Sequence, residues 1–155
     1  MQYTDFERDF MRRTLELMRG YGGPYDATFL LNCLLGLLIV PHETSLNAIP
    51  EVGVEALSQW GISPDCVKSF GKFRRPGPTR EEVDAPRTLR RLVKGLRNSV
   101  AHFRFEPVHR DGEVYGFRFN DLSGFRAEIP LAELRVFVER LSARLDGEFH
   151  SELRG

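Results

Sequence analysis

The sequence predicts a mainly helical domain that carries a small antiparallel β appendage, a hairpin or three strands, ahead of its last helix. Three observations point there. Residues 89–103 set apolar side chains at helical spacing, with basic ones opposite. Residues 29–40 form an apolar run one helix long, interrupted by Asn32 and closed by Pro41. After Phe103 the apolar period drops from 3.6 to 2, and an Asp111-Gly112 turn follows.

Thr4 or Asp5 is placed to cap a first helix reaching Met18, with Phe6, Phe10, Leu17 and Met18 on one side. Gly20, Gly22, Gly23 and Pro24 end it. Asp26 and Thr28 are cap candidates for the second helix, which is apolar nearly all round. It is too short to span a bilayer, so it reads as the buried centre of the domain. Asn32 within it reads as a buried amide satisfied by a neighbouring helix. An irregular region starts at Pro41, where His42 is a loop residue with no partner at zinc-ligand spacing. Short helices are expected around residues 51–60 and again after Ser63-Pro64-Asp65. Residues 71–86, punctuated by Gly and Pro, form the least ordered piece. Their Lys72, Phe73, Arg74 and Arg75 suit an RNA-contacting loop, though a solvated connector is the simpler reading.

The helix over 89–103 buries Leu89, Leu92, Val93, Leu96, Val100 and Phe103 within an arc of about 100°. Val108, the 111–112 turn, Val114, Phe117 and Phe119 then make a hairpin, with His109 exposed beside the turn. Phe125, Ala127 and Ile129 offer a third strand after a turn at residues 120–124. Pro130 opens the last helix, with Leu131, Leu134, Phe137, Val138, Leu141 and Leu145 inward. The 155 residues amount to one domain by the usual size argument. Its helical core covers residues 4–103 and 130–149, and its β appendage residues 103–129.

The outer face of the 89–103 helix carries Arg90, Arg91, Lys94, Arg97, Asn98 and His102. His102 lies about 130° from the centre of the apolar stripe, so it is not a packed core histidine. Arg97 and His102 are about 140° apart around the axis and about 7.5 Å apart along it. One helix cannot easily close both side chains on one phosphate. Two antiparallel copies can, and Gly95, Ser99 and Ala101 are small enough to permit a close approach. The wheel alone also accommodates a solvated basic face with an incidental histidine.

The formal net charge is zero, so the molecule as a whole offers no bulk attraction to nucleic acid. Residues 72–110, however, hold eleven lysines and arginines against four acidic residues. Such a local basic region suits an anionic ligand met at one site better than a coating of duplex DNA. Cys33 and Cys66 lack metal-binding or redox spacing, and buried reduced thiols in a cytoplasmic protein are the simplest reading. The N-terminal residues have no apolar secretory segment, so no signal peptide and no membrane association are expected.

Arg97-Asn98-Ser99-Val100-Ala101-His102 resembles the Arg-x4–6-His signature of HEPN (higher eukaryote and prokaryote nucleotide-binding) domains, with the polar residue that often follows the arginine. Its place near the C-terminal end of an amphipathic helix is the context that family requires. The run from Tyr25 to Pro41 resembles the early helix of a bacterial, plasmid-borne HEPN branch. The two stretches cover about a fifth of the chain, in the right order. The resemblance implies an all-helical, antiparallel bundle core, a homodimer and a metal-independent endoribonuclease needing no cofactor. RNA can be cut without metal when its own 2′-hydroxyl attacks the adjacent phosphorus, provided one group moves protons and a fixed cation stabilises the phosphate. Histidine suits the first task and the arginine fork the second. His102 is then the general acid/base, Arg97 the phosphate clamp, and Asn98 the residue orienting His102 or the scissile phosphate. Arg90, Arg91 and Lys94 extend a basic track for RNA. Products carry a 2′,3′-cyclic phosphate and a 5′-hydroxyl. An antitoxin protein, or a role against phage, is the setting that the resemblance implies.

Three other readings fit the same residues. One is an inert HEPN dimer that binds nucleotide or a partner protein. A second is a winged-helix DNA binder, with the basic helix followed by a Phe-rich wing. The third is a helical scaffold without a ligand.

Overall fold

The structure, a computed structural model, describes residues 6–39 and 47–152. Helix α1 (Phe6–Gly20) turns Met11, Leu15 and Met18 inward with Thr14, an i, i+4, i+7 row. Phe6 and Leu17, expected on that side, are 56% and 62% exposed instead. The row containing Met11 wins because it meets the last helix, whose Ser142 hydroxyl donates to the Met11 carbonyl (3.3 Å). The proposed caps Thr4 and Asp5 lie outside the described residues, as does His42. Helix α2 (Asp26–Ile39) buries Leu30, Cys33, Leu34, Leu37 and Leu38. Asn32 is exposed, which corrects its reading as a buried amide. It falls between the buried rows, on the helix's narrow solvent edge.

A 3₁₀ turn over Val54–Trp60 stands where a short helix was expected. The next expected helix is three residues of 3₁₀ (Pro64–Cys66), after which the chain extends as β1 (Val67–Phe70). The apparent start signal at Ser63-Pro64-Asp65 is real, but Val67 and Phe70 are claimed by a sheet. Residues 71–86 are not a structureless connector, since β2 (Lys72–Arg74) and β3 (Glu82–Asp84) pair as an antiparallel hairpin. Gly71 at its root has φ +75°, and a Cβ there would stand 2.7 Å from the Phe125 amide nitrogen. Only glycine lets the hairpin pass this close to the sheet.

Helix α3 (Leu89–Ala101) is capped by Thr88, whose hydroxyl accepts from the Arg91 N–H (3.3 Å). Leu89, Leu92, Val93, Leu96 and Val100 are buried as the wheel requires. Phe103, placed at the end of that stripe by the sequence, lies beyond the helix and is 84% exposed. Strands β4 (Phe105–Arg110), β5 (Glu113–Asn120) and β6 (Phe125–Pro130) follow. Asp111 and Gly112 both have positive φ between the first two strands, as a tight hairpin turn demands. Helix α4 (Leu131–Glu152) buries Leu134, Phe137, Val138, Leu141 and Leu145.

The sheet has four antiparallel strands in the order β1-β6-β5-β4. One face presents Phe117, Phe119, Phe125, Ala127 and Ile129, all buried in the same cluster as the helices. The architecture is therefore mixed α/β, not a helical bundle with an appended ribbon. An apolar sheet face of that size has to be covered, and α3 and α4 cover it. Gly95 and Ser99, read from sequence as clearance for a second copy, are buried in this contact. A Cβ at Gly95 would meet the Phe125 ring at 2.5 Å. Gly95→Ala should cost about 1–3 kcal/mol in chemical denaturation despite its better helix propensity. A gain in stability would show that Phe125 gives way easily. Among the described residues, no helix is long and apolar enough to cross a membrane.

Candidate functional site

Two of the basic residues on α3 are consumed in holding the surroundings. The Arg90 guanidinium donates to the Ile49 carbonyl (2.9 and 3.2 Å) and the Asn47 carbonyl (3.1 Å), and pairs with Glu51 (3.3 Å). Arg91 lies deeper, with 9% of its side chain exposed. It donates to the Phe70 carbonyl (2.9 Å) and to Ser123 Oγ, pairs with Asp121 at 3.6 Å, and lies over the Phe125 ring. Placed this way, Arg90 fastens residues 47–51 and Arg91 fastens the β5–β6 turn. Arg90 keeps 41% of its side chain exposed, whereas Arg91 is turned inward.

Asp121 is the centre of the second attachment, and sequence reasoning read it only as a turn residue. Its carboxylate accepts from the backbone N–H of Ser123 (2.8 Å) and Phe125 (3.2 Å), from the Ser123 hydroxyl, and from Asn98 Nδ2 (3.3 Å). Burial by itself raises this carboxyl's pKa. The Ser123 hydroxyl, the Asn98 amide and the two backbone amides outweigh burial and hold it below the usual value. The signal available in the sequence was Asp121-Leu122-Ser123, an aspartate able to bond the backbone two residues on. Asn98 thus spends its amide on Asp121, and that bond fixes how α3 sits on the sheet.

A groove of about 440 Å³ runs along the outer side of α3, lined by Asn47, Arg90, Val93, Lys94, Arg97, Asn98 and Ala101. A second cleft of about 370 Å³ shares Arg90, Lys94 and Asn98 with it and reaches Lys72 and Phe73 of the β2–β3 hairpin. Lys94 is exposed and Arg97 half-buried, and with Arg90 they put three cations on a concave surface able to seat an anion. His102 is the residue after Ala101, where the helix has ended, and its backbone N–H bonds the Asn98 carbonyl (3.2 Å). Its side chain is exposed and lies beyond the lining of both clefts. The structure therefore brings Lys94, Arg97 and Asn98 together on the groove and leaves His102, one residue after Ala101, outside its lining.

The other groups with chemical potential are committed elsewhere. Burial, then the bond to Glu133, pushes the Cys66 thiol up to about 12. Burial pushes Cys33 up to about 11. Neither offers a thiolate at neutral pH. Glu133 also takes both the backbone N–H and the hydroxyl of Ser63 (2.9 and 3.0 Å), tying α4 to the turn before β1. Burial opposes its ionised form, but these bonds keep its pKa below the ordinary range. His109 is an exposed hairpin residue, as its sequence position suggested.

A family model described as HEPN pEK499 p136 matches residues 1–148. No curated protein and no solved structure matches the chain.

Proposed function

The chain belongs to the HEPN pEK499 p136 family, within a group generally associated with ribonuclease activity, and from that premise we propose that it is a metal-independent endoribonuclease working as a homodimer. The observation that carries this reading is the juxtaposition on α3. Arg97 and Lys94 line a groove, and an exposed His102 follows directly after this helix, which Arg91 and Asn98 pin. Pinning matters because an arginine fork stabilises a phosphorane only when it is already aimed at the oxygen that gains charge.

Arg97 and His102 face different directions around one helix, so the complete site takes one from each of two antiparallel copies. Arg97 binds the phosphate oxygens. A His102 imidazole takes the proton from the 2′-hydroxyl as its oxygen bonds phosphorus, and a proton returns to the 5′-oxygen as the P–O5′ bond breaks. The fragments end in a 2′,3′-cyclic phosphate and a 5′-hydroxyl. Lys94, with Lys72 across the second cleft, continues the cationic path along the strand. Asn98 acts by holding α3 to Asp121. A protein that seats acidic side chains over Lys94 and Arg97 would block the groove, which is the form an antitoxin for this chain takes.

The test is cleavage of total RNA by purified protein in excess EDTA, with fragment ends mapped. Cyclic-phosphate ends from wild type, absent with His102→Ala and with Arg97→Ala, are expected. Equal cutting by all three proteins would remove both residues from the chemistry.

A further inference from the structure

Phe103 sits at a left-handed backbone position without the burial that would offset its strain. After Ala101 the chain closes a two-bond helix cap. The Arg104 N–H returns to the Ser99 carbonyl (2.7 Å) and the Phe103 N–H to the Val100 carbonyl (3.3 Å). In this cap the residue at Phe103 must be left-handed, and its φ is +54°. Glycine is the usual occupant because any Cβ is strained there, a bulky one especially. Among the described residues the other positive-φ positions are five glycines, Asp111 and Arg80, so Phe103 is the one aromatic ring carried on such a backbone. Burial of a phenyl ring in the core could offset the strain, yet this ring is 84% exposed.

Strain without burial points to a use outside the folded chain. One ring face is partly covered by Phe105, with centroids 5.7 Å apart and planes at 29°. That stack orients the ring and leaves its other side to solvent. The backbone beneath it is fixed too, since the Asn120 N–H bonds the Arg104 carbonyl (3.0 Å) and so ties the cap to β5. Phe103 is therefore an oriented aromatic surface directly after His102 and two residues past Ala101, which lines the cationic groove. We propose that Phe103 stacks on the nucleobase of a nucleotide flanking the scissile phosphate, positioning the 2′-hydroxyl against the His102 imidazole. A π-face accepts any base, so this contact contributes binding and alignment with little sequence preference. The proposal rests on the ribonuclease reading.

Phe103→Gly tests it, because glycine relieves the backbone and removes the ring together. Its melting temperature should equal or exceed that of wild type. Its cleavage of a single-stranded RNA oligonucleotide spanning a mapped cut site should fall about tenfold or more. Phe103→Trp should cut at close to the wild-type rate. On the same oligonucleotide made abasic on both sides of the cut, wild type and Phe103→Gly should converge. An active wild type matched by Phe103→Gly on the intact oligonucleotide would overturn the stacking role and leave the ribonuclease reading standing. A Phe103→Gly protein that sediments as a monomer while wild type is a dimer would assign the ring to a subunit contact instead. A wild type that cuts no RNA would remove both readings.

Discussion

His102→Ala should cut RNA about 10²–10⁴-fold more slowly than wild type, the usual loss when a positioned proton-transfer group is removed. Arg97→Ala should lose about 10²–10³-fold, the scale of one preorganised donor to a developing oxyanion. Mixing the two inactive variants is the more informative measurement. If each site joins Arg97 of one copy to His102 of the other, a mixed dimer holds one site with both residues and one with neither. Activity should then return, approaching a quarter of wild type once subunits exchange freely, because half the dimers are mixed and each has one working site of two. If each copy carries a self-sufficient site, every site in the mixture lacks one residue and no activity returns. His102→Ala should cost little stability, since His102 is exposed and follows the helix.

Asp121→Ala should have the largest effect on stability. The substitution leaves Arg91, with 9% of its side chain exposed, facing a buried void where its carboxylate stood. Removing one partner of such a pair costs about 3–5 kcal/mol, more than the net value of the pair itself. The backbone amides of Ser123 and Phe125 and the Asn98 side chain lose their acceptor at the same time. Urea unfolding with far-UV detection reads the loss. A cost below about 1 kcal/mol would mean that the turn is held by packing alone. The same carboxylate predicts an acid dependence. Its folded pKa lies below its unfolded one, so its contribution is complete above the unfolded value of about 3.9. The contribution drains away as pH falls through the folded value. Wild type should therefore lose stability on acidification below about pH 4 more steeply than Asp121→Ala does.

The long elements were legible because each repeats one period for several turns. Helix α3, α4 and the β5 and β6 strands carry their buried residues where the pattern put them, with the 111–112 turn between β4 and β5. Short elements were not. Val67-Lys68-Ser69-Phe70 is too brief to show alternation, and what makes it a strand is β6 beside it. The size of the sheet's apolar face was visible in Phe117, Phe119 and Phe125. Its consequence, that two helices must lie on it, was not drawn from the sequence. In α1 the choice between two apolar rows depended on which one the last helix would meet. At the site, a helical wheel sorts residues by direction and says nothing of partners. Arg90, Arg91, Lys94 and Arg97 look alike on it, yet two of the four anchor backbone from residues 47–51 and from Phe70. Asp121 was hidden for the converse reason, because its partners lie 23 and 30 residues back in the chain. Phe103 belonged to the apolar stripe only if the helix continued, and the cap at His102 ends it first.

The β2–β3 hairpin has a bearing on how such a protein diversifies. Its strands pair with each other, its side chains are largely exposed, and the Lys72 and Ala85 amides secure its root to Ser123 and Gly71. Chain added or removed at its tip, residues 75–80, leaves the shared core untouched, and loop closure charges only a logarithm of the added length. Yet Lys72 and Phe73, near the root, wall the second cleft. On the proposed ribonuclease reading, the length of this arm would then adjust the surroundings of the second cleft while the α3 residues stay constant.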